Sequence, residues 1–181
     1  MPGDGLALFE TAIGGCGIAW GPAGIIGLQL PEATPAATRA RLERAFPEAR
    51  DATPPAAVGE AIAAVVALLA GTPRDLAGIA LDLRGTPAFH RDVYAITRTI
   101  PPGETLTYGA VARRLGDAGA ARAVGRALGR NPVAIIIPCH RVVAAGGAIG
   151  GFSAGGGAAT KRRILTIEGA DRDEPMLPGI L

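Results

Sequence analysis

"TYGAVARRLGDAGAARAVGRALGRNPVAIIIPCHRVV", residues 107–143, decides how the chain is read. Thr107 is placed to cap a helix whose Val111, Ala112 and Leu115 face inward, and "GDAG" at 116–119 makes a tight turn. A second helix follows from Ala120 to Arg130, with Ala121, Val124 and Leu128 on its inner face. Two short helices joined by a glycine-containing turn are the pattern of a helix-turn-helix. Asn131 and Pro132 stop the second helix, the apolar run to Ile137 reads as a buried strand, and Pro138 ends it with Cys139, His140 and Arg141 at the tip.

The composition of the second helix points to a polyanion. Arg122, Arg126 and Arg130 recur at i, i+4 and form one basic line, with small Ala121 and Gly125 beside it. Small side chains let a helix backbone approach a sugar-phosphate surface, and guanidinium groups bond phosphates. The helix has no Asn or Gln to read base edges, so sequence-independent contact, through the minor groove, is expected. A generic arginine-rich surface helix would show the same pattern.

Working outward, the charge is divided. Residues 1–85 carry 6 Arg against 9 acids, residues 86–181 carry 12 Lys or Arg against 7 acids, and between Arg91 and Arg163 eleven basic groups meet only Asp92, Glu104 and Asp117. The first half reads as a small antiparallel meander over Leu6 to Leu30, a short helix at Ala37 to Ala45, a buried helix ending at Gly71, and a return strand "AGIALDL" at 77–83. At Gly85 the pattern turns helical, so the domains are expected at 1–85 and 86–181. The second opens with Thr86 as an N-cap, Pro87 at the first helical position, and a buried stripe of Phe89, Val93, Ile96 and Ile100.

Hydrophobic residues make up 49% and charged residues 19%, which excludes a disordered chain. Two cysteines, no basic-then-apolar leader and no run of apolar residues long enough for a membrane helix give a cytoplasmic expectation. A zinc site is not expected, since no Cys-x-x-Cys or second nearby histidine completes a ligand set. Cys16 and His90 read as core and surface residues. A thiol at Cys139, beside an imidazole and a guanidinium, can shift toward thiolate, the nucleophilic form. On an extended strand neighbours point to opposite faces, so direct contact between Cys139 and His140 is not assured and a bridging water is one way to link them; a purely structural cysteine stays open on spacing alone.

"IPCHRVV", with "TYGAVARRLG" and "AARAVGRALGRNP" before it and "GGFSAGGGAATKRRILTIEGA" after it, resembles the active-site half of the methylated-DNA–protein-cysteine methyltransferases. The resemblance covers Thr86 to Ala170 and implies a mixed α/β fold: a ribonuclease H-like antiparallel-sheet N-terminal domain and a mostly helical, winged-helix-like C-terminal domain. It implies single-turnover DNA repair, in which the alkyl group of O6-methylguanine, or of O4-methylthymine, passes to Cys139 after the base is flipped out. The implied partner is double-stranded DNA carrying the alkylated base, bound by a monomer without any cofactor. His140 would draw the thiol proton through a water and Glu168 would orient that imidazole. Tyr108 would help guanine leave, and Asn131 would shape the turn before the cysteine.

Arg122 would fill the space left by the base, with Ala121, Gly125, Arg126 and Arg141 completing the DNA-binding set. Phe152 and Ser153 would line the pocket with Tyr108. Phe152 stands where many relatives carry tyrosine, and Gly155 to Gly157 imply a mobile lid. Two other classes stay open: a non-catalytic lesion-binding protein, which would lack the acceptor cysteine, and a helix-turn-helix regulator, which gives the Cys-His-Arg triplet no role.

Overall fold

The computed structural model describes residues 4–153 and 155–170. The chain opens with three antiparallel strands, β1 (Gly5–Thr11), β2 (Gly14–Gly21) and β3 (Gly24–Gln29), followed by α1 (Pro35–Ala45), a two-residue β4 (Arg50–Asp51) and α2 (Ala56–Leu69). The sheet order is β3-β2-β1-β4, with β4 parallel to β1. Thr34 caps α1 by accepting from Ala37 N at 3.1 Å, and Pro35 begins that helix with its φ already set. Alternation along the meander sends Cys16, Ile18 and Trp20 into one core, shared with Val65 and Leu68 of α2.

The rest of the described chain is α3 (Ala88–Thr97), β5 (Leu106–Thr107), α4 (Tyr108–Arg114), α5 (Ala121–Gly129), β6 (Val142–Val143) and α6 (Gly157–Ile167). Thr107 caps α4 by accepting from Ala110 N, and Asp117 caps a 3-10 turn that leads into α5. These helices form the expected helix-turn-helix, with Val111, Ala112, Val124 and Leu128 buried. The mixed α/β architecture agrees with the sequence reading. The tail after Ala170 lies outside the described residues.

Several local expectations fail in whole or in part. The segment "AGIALDL" is a loop: Arg98 Nη2 gathers the carbonyls of Ala77 and Ile79 at 2.6 and 2.7 Å, so little remains for a ladder beyond one bridge from Leu81 to Ile25. The stripe expected on α3 holds at Val93 and at Ile100 just beyond the helix, both buried, but Phe89 is 37% exposed and Tyr94 and Thr97 complete the buried face. Tyr94 turns inward, where its hydroxyl donates to the carbonyl of Ala127 in α5 at 2.8 Å and so stays satisfied when buried. Pro87, not Thr86, occupies the cap position, and no side chain caps that end.

The isoleucine run is buried but is not a strand. Ile135 takes φ 70°, a left-handed conformation that a β-branched residue adopts at a cost of roughly 1–3 kcal/mol. The segment is held from outside: Leu28 N donates to Pro132 O at 2.9 Å, and Ala134 N donates to Leu28 O at 3.3 Å. The outer edge of β3 thus pairs with the chain that leads to Cys139, and that edge is covered.

Candidate active site

Cys139, His140 and Arg141 form one 3-10 turn, not the extended tip expected from the sequence. Asn131 fixes the approach to it. Its Nδ2 donates to Ile137 O at 2.8 Å and its Oδ1 accepts from Val133 N at 2.9 Å, so one side chain spans both ends of the strained loop. Cys139 is 8% exposed and lies on the wall of a cavity of about 670 Å³. Tyr108, Arg122, Gly125, Phe152 and Ser153 line the same cavity, as does Ala121 at the start of α5. Arg126 is exposed on α5 outside that lining.

Below the turn is a buried charge cluster. His140 Nε2 lies 3.0 Å from Glu168 Oε1, while Arg141 donates to the same carboxylate through Nε at 2.9 Å and Nη2 at 2.8 Å. Arg141 Nη1 also donates to Ile100 O. This corrects the expectation that Arg141 binds DNA: it is 5% exposed and both edges of its guanidinium are used internally. Glu168 sits at the C-cap of α6, where the helix dipole disfavours a carboxylate, and the cation and imidazole supply the compensation.

Burial alone would raise the Glu168 carboxyl, but hydrogen bonds from His140 and Arg141 outweigh it and hold the pKa to about 2. Burial lowers His140, only partly offset by Glu168, so the imidazole is neutral at pH 7. With Nε2–H donating to the carboxylate, Nδ1 is left as an acceptor, and among the described residues it is buried with no hydrogen-bond partner. Burial also raises the Cys139 thiol, against the opposing effects of Asn131 and of the Lys161 ammonium. The resting sulfur is therefore a thiol, not the thiolate that its neighbours in sequence implied.

Sequence reasoning missed Lys161. It is 1% exposed, its Nζ donates to Val142 O at 2.5 Å, and the ammonium lies 5.7 Å from the centre of the Tyr108 ring. The signal was available: Lys161, Ile164, Leu165 and Glu168 share one face of α6 at i, i+3, i+4 and i+7, so a lysine stood on the same face as buried Ile164 and Leu165 and the site carboxylate. Tyr108 is raised by burial first and by Cys139 second, which keeps its hydroxyl a donor. That hydroxyl reaches Gly150 so closely that a Cβ there would lie 2.8 Å from it. Of the two residues set aside from the site, Cys16 is buried in the sheet and His90 lies beside Tyr94 on α3.

Among the described residues no group of three or more His, Cys, Asp or Glu could hold a metal ion, and no helix is long and apolar enough to cross a membrane. The model of the 6-O-methylguanine DNA methyltransferase DNA-binding domain matches residues 88–170. A methylated-DNA–protein-cysteine methyltransferase of Methanothermobacter thermautotrophicus is 35% identical over 153 residues, 84% of this chain and 78% of the relative. One of Mycolicibacterium paratuberculosis is 51% identical over 90 residues, 50% of this chain and 53% of the relative. The match to such mycobacterial relatives thus spans about half their length. The chain superposes on a Mycobacterium tuberculosis protein crystallised in complex with DNA, with TM-score 0.72 and 36% identity over 90% of this chain and 92% of that one. A hyperthermophilic archaeal O6-methylguanine-DNA methyltransferase gives TM-score 0.71 at 28% identity, over 92% and 99% of the two chains.

Proposed function

Because the chain belongs to the methylated-DNA–protein-cysteine methyltransferase family, we propose that it repairs O6-alkylated guanine in DNA by moving the alkyl group onto Cys139. The observation that carries this reading is the cavity of about 670 Å³ with a thiol on its wall and a buried His140–Glu168 pair behind that thiol. The cavity is of the size that holds a small organic group. An everted guanine entering it would stack on Phe152, and Arg122, on the first turn of α5, would fill the space vacated in the duplex. Unstacking costs a few kcal/mol, which the arginine wedge and phosphate contacts offset.

The chemistry then needs a proton removed and a proton given. His140 Nδ1 accepts the thiol proton through a bridging water, and Glu168 stabilises the imidazolium that forms. The sulfur lone pair attacks the alkyl carbon as the carbon–oxygen bond breaks, and that electron pair returns to the guanine ring. Tyr108 donates its hydroxyl proton toward a ring nitrogen, neutralising the charge that would otherwise build on the base. Lys161 steadies both the sulfur and the tyrosine. The resulting thioether has no route back, so one molecule repairs one lesion.

Further expectations belong to the same reading: residues 1–85 and 86–181 as two domains, little regard for DNA sequence, action as a monomer without a cofactor, and a cytoplasmic location. Intact-protein mass spectrometry after mixing with an O6-methylguanine duplex tests it. One methyl group gained at Cys139, and none in Cys139→Ala, is the expected result; a mass unchanged in the unsubstituted protein refutes the reading.

A further inference from the structure

We infer that Arg41, in the first half of the chain, is a positioning residue for the reaction, because it holds the pocket wall Phe152–Ser153 in place. Arg41 Nη2 donates to Ser153 O at 3.2 Å, across the whole span from α1 to the loop before α6. Its Nη1 donates to Glu32 Oε1 at 3.0 Å, and Gln29 Nε2 donates to that same oxygen at 3.1 Å. Glu32 is fixed in turn, since its backbone N donates to the hydroxyl of the buried Thr38 at 2.9 Å. The first half therefore presents an anchored guanidinium to one loop carbonyl.

The loop has a second seat on the same surface. Gly155 approaches Pro31 so closely that a Cβ would lie 2.5 Å from its carbonyl oxygen and 3.0 Å from Glu32 Oε2. On the other side, the Ser153 hydroxyl donates to Gly129 O at the end of α5 at 3.1 Å. A second cavity of about 340 Å³ lies between α1 and this loop, lined by Arg41, Leu42, Asn131, Cys139, Phe152 and Ser153. Among the described residues the other holds on this loop are the Ser153 hydroxyl bond, the packing of Phe152 on the core, the Gly155 contact and a bond from Thr160 Oγ1 to Gly155 O at 2.7 Å, and of these none ties Ser153 O to the first half of the chain as Arg41 does. The wall faces Cys139 on both sides, so its displacement changes where a base can sit relative to the sulfur.

The Arg41 side chain is 46% exposed, so its bonds contribute little to global stability. Its effect falls on the geometry of a reacting pair, where a misplacement of about 1 Å costs up to roughly a hundredfold in rate. Arg41 exerts this through the loop and touches no substrate.

This inference rests on the function proposed above, and the test separates the two. Single-turnover transfer is measured for the unsubstituted protein, Arg41→Ala and Arg41→Lys, with an O6-methylguanine duplex and with free O6-benzylguanine. Undamaged-duplex affinity and the urea midpoint are recorded alongside. Arg41→Ala should slow both transfers by roughly tenfold, leave affinity and midpoint unchanged, and be partly rescued by lysine. Unchanged rates would overturn the role. So would slowing confined to the duplex with a matching loss of affinity, which marks a DNA contact, or slowing that tracks a lowered midpoint. Absence of transfer in the unsubstituted protein would remove the function itself, whereas normal transfer there with an indifferent Arg41→Ala removes only this inference.

Discussion

Replacing Glu168 by glutamine should destabilise the protein at neutral pH and flatten its response to acid. The carboxylate has no exposed side-chain surface and is the shared acceptor of His140 and Arg141. Glutamine keeps the shape but leaves the Arg141 guanidinium, 5% exposed, without a counter-charge. Breaking one partner of a buried ion pair costs about 3–5 kcal/mol, a large share of a typical stability of about 5–15 kcal/mol. With a urea slope of about 2 kcal/mol per molar, the midpoint should fall by about 1.5 M or more.

The pH dependence supplies an independent measure. Glu168 is held down from an ordinary 4.5 to about 2, and at about 1.4 kcal/mol per unit this difference is worth roughly 3 kcal/mol. A lowered folded pKa means that the contribution is complete above pH 4.5 and is lost as the pH falls through that value toward 2. His140, also lowered, adds a loss in the same direction beginning nearer its ordinary 6.5. Urea unfolding at pH 7, 5 and 3 should therefore show the unsubstituted protein losing stability below pH 5 more steeply than Glu168→Gln. Adding Arg141→Met to the variant should recover part of the loss, because the stranded charge is gone. A midpoint shift below about 0.5 M at pH 7, or an equal acid response in both proteins, would refute the account of the cluster.

Tyr108→Phe should slow transfer by roughly ten- to a hundredfold in quenched single-turnover assays, with affinity for alkylated duplex nearly unchanged, because only the donor hydroxyl is lost. Lys161→Met should slow transfer by about tenfold and raise the pH at which a thiol reagent labels Cys139, with Lys161→Arg restoring part of the rate; labelling at unchanged pH would remove the lysine from the site. Arg122→Ala should slow reaction with duplex more than reaction with free O6-benzylguanine, and duplex binding by the unsubstituted protein should weaken steeply as salt rises.

The helix-turn-helix was legible because Thr107, Asp117 and the small-residue helix each obey local rules: caps, turns and periodicity. The Cys139–His140–Glu168 grouping came from the family resemblance, since no spacing rule brings residue 168 to residue 140. The misreadings share a cause. Periodicity along α3 identified a stripe that included Phe89, but α5 favoured Tyr94 by offering its hydroxyl the Ala127 carbonyl. Arg141 looked like a surface cation because nothing in its own segment announced a buried carboxylate from α6. The strand at 77–83 failed because Arg98, at the C-terminal end of α3, captured the carbonyls of Ala77 and Ile79. In each case a long-range polar partner overrode a sound local signal. The contribution of the first half to the pocket, through Leu28 and Arg41, lay beyond local patterns for the same reason.

The pairing of Leu28 with Pro132 and Ala134 has a consequence for how the protein comes into being. During synthesis β3 leaves the ribosome long before the thiol segment does, and its free edge is the mould onto which that later segment is cast. Such distant closure is slow compared with making the helices in between. A nascent chain should therefore hold a folded helix-turn-helix, able to touch DNA, before its sulfur has a fixed address, and maturation of the reactive group becomes the last step of folding.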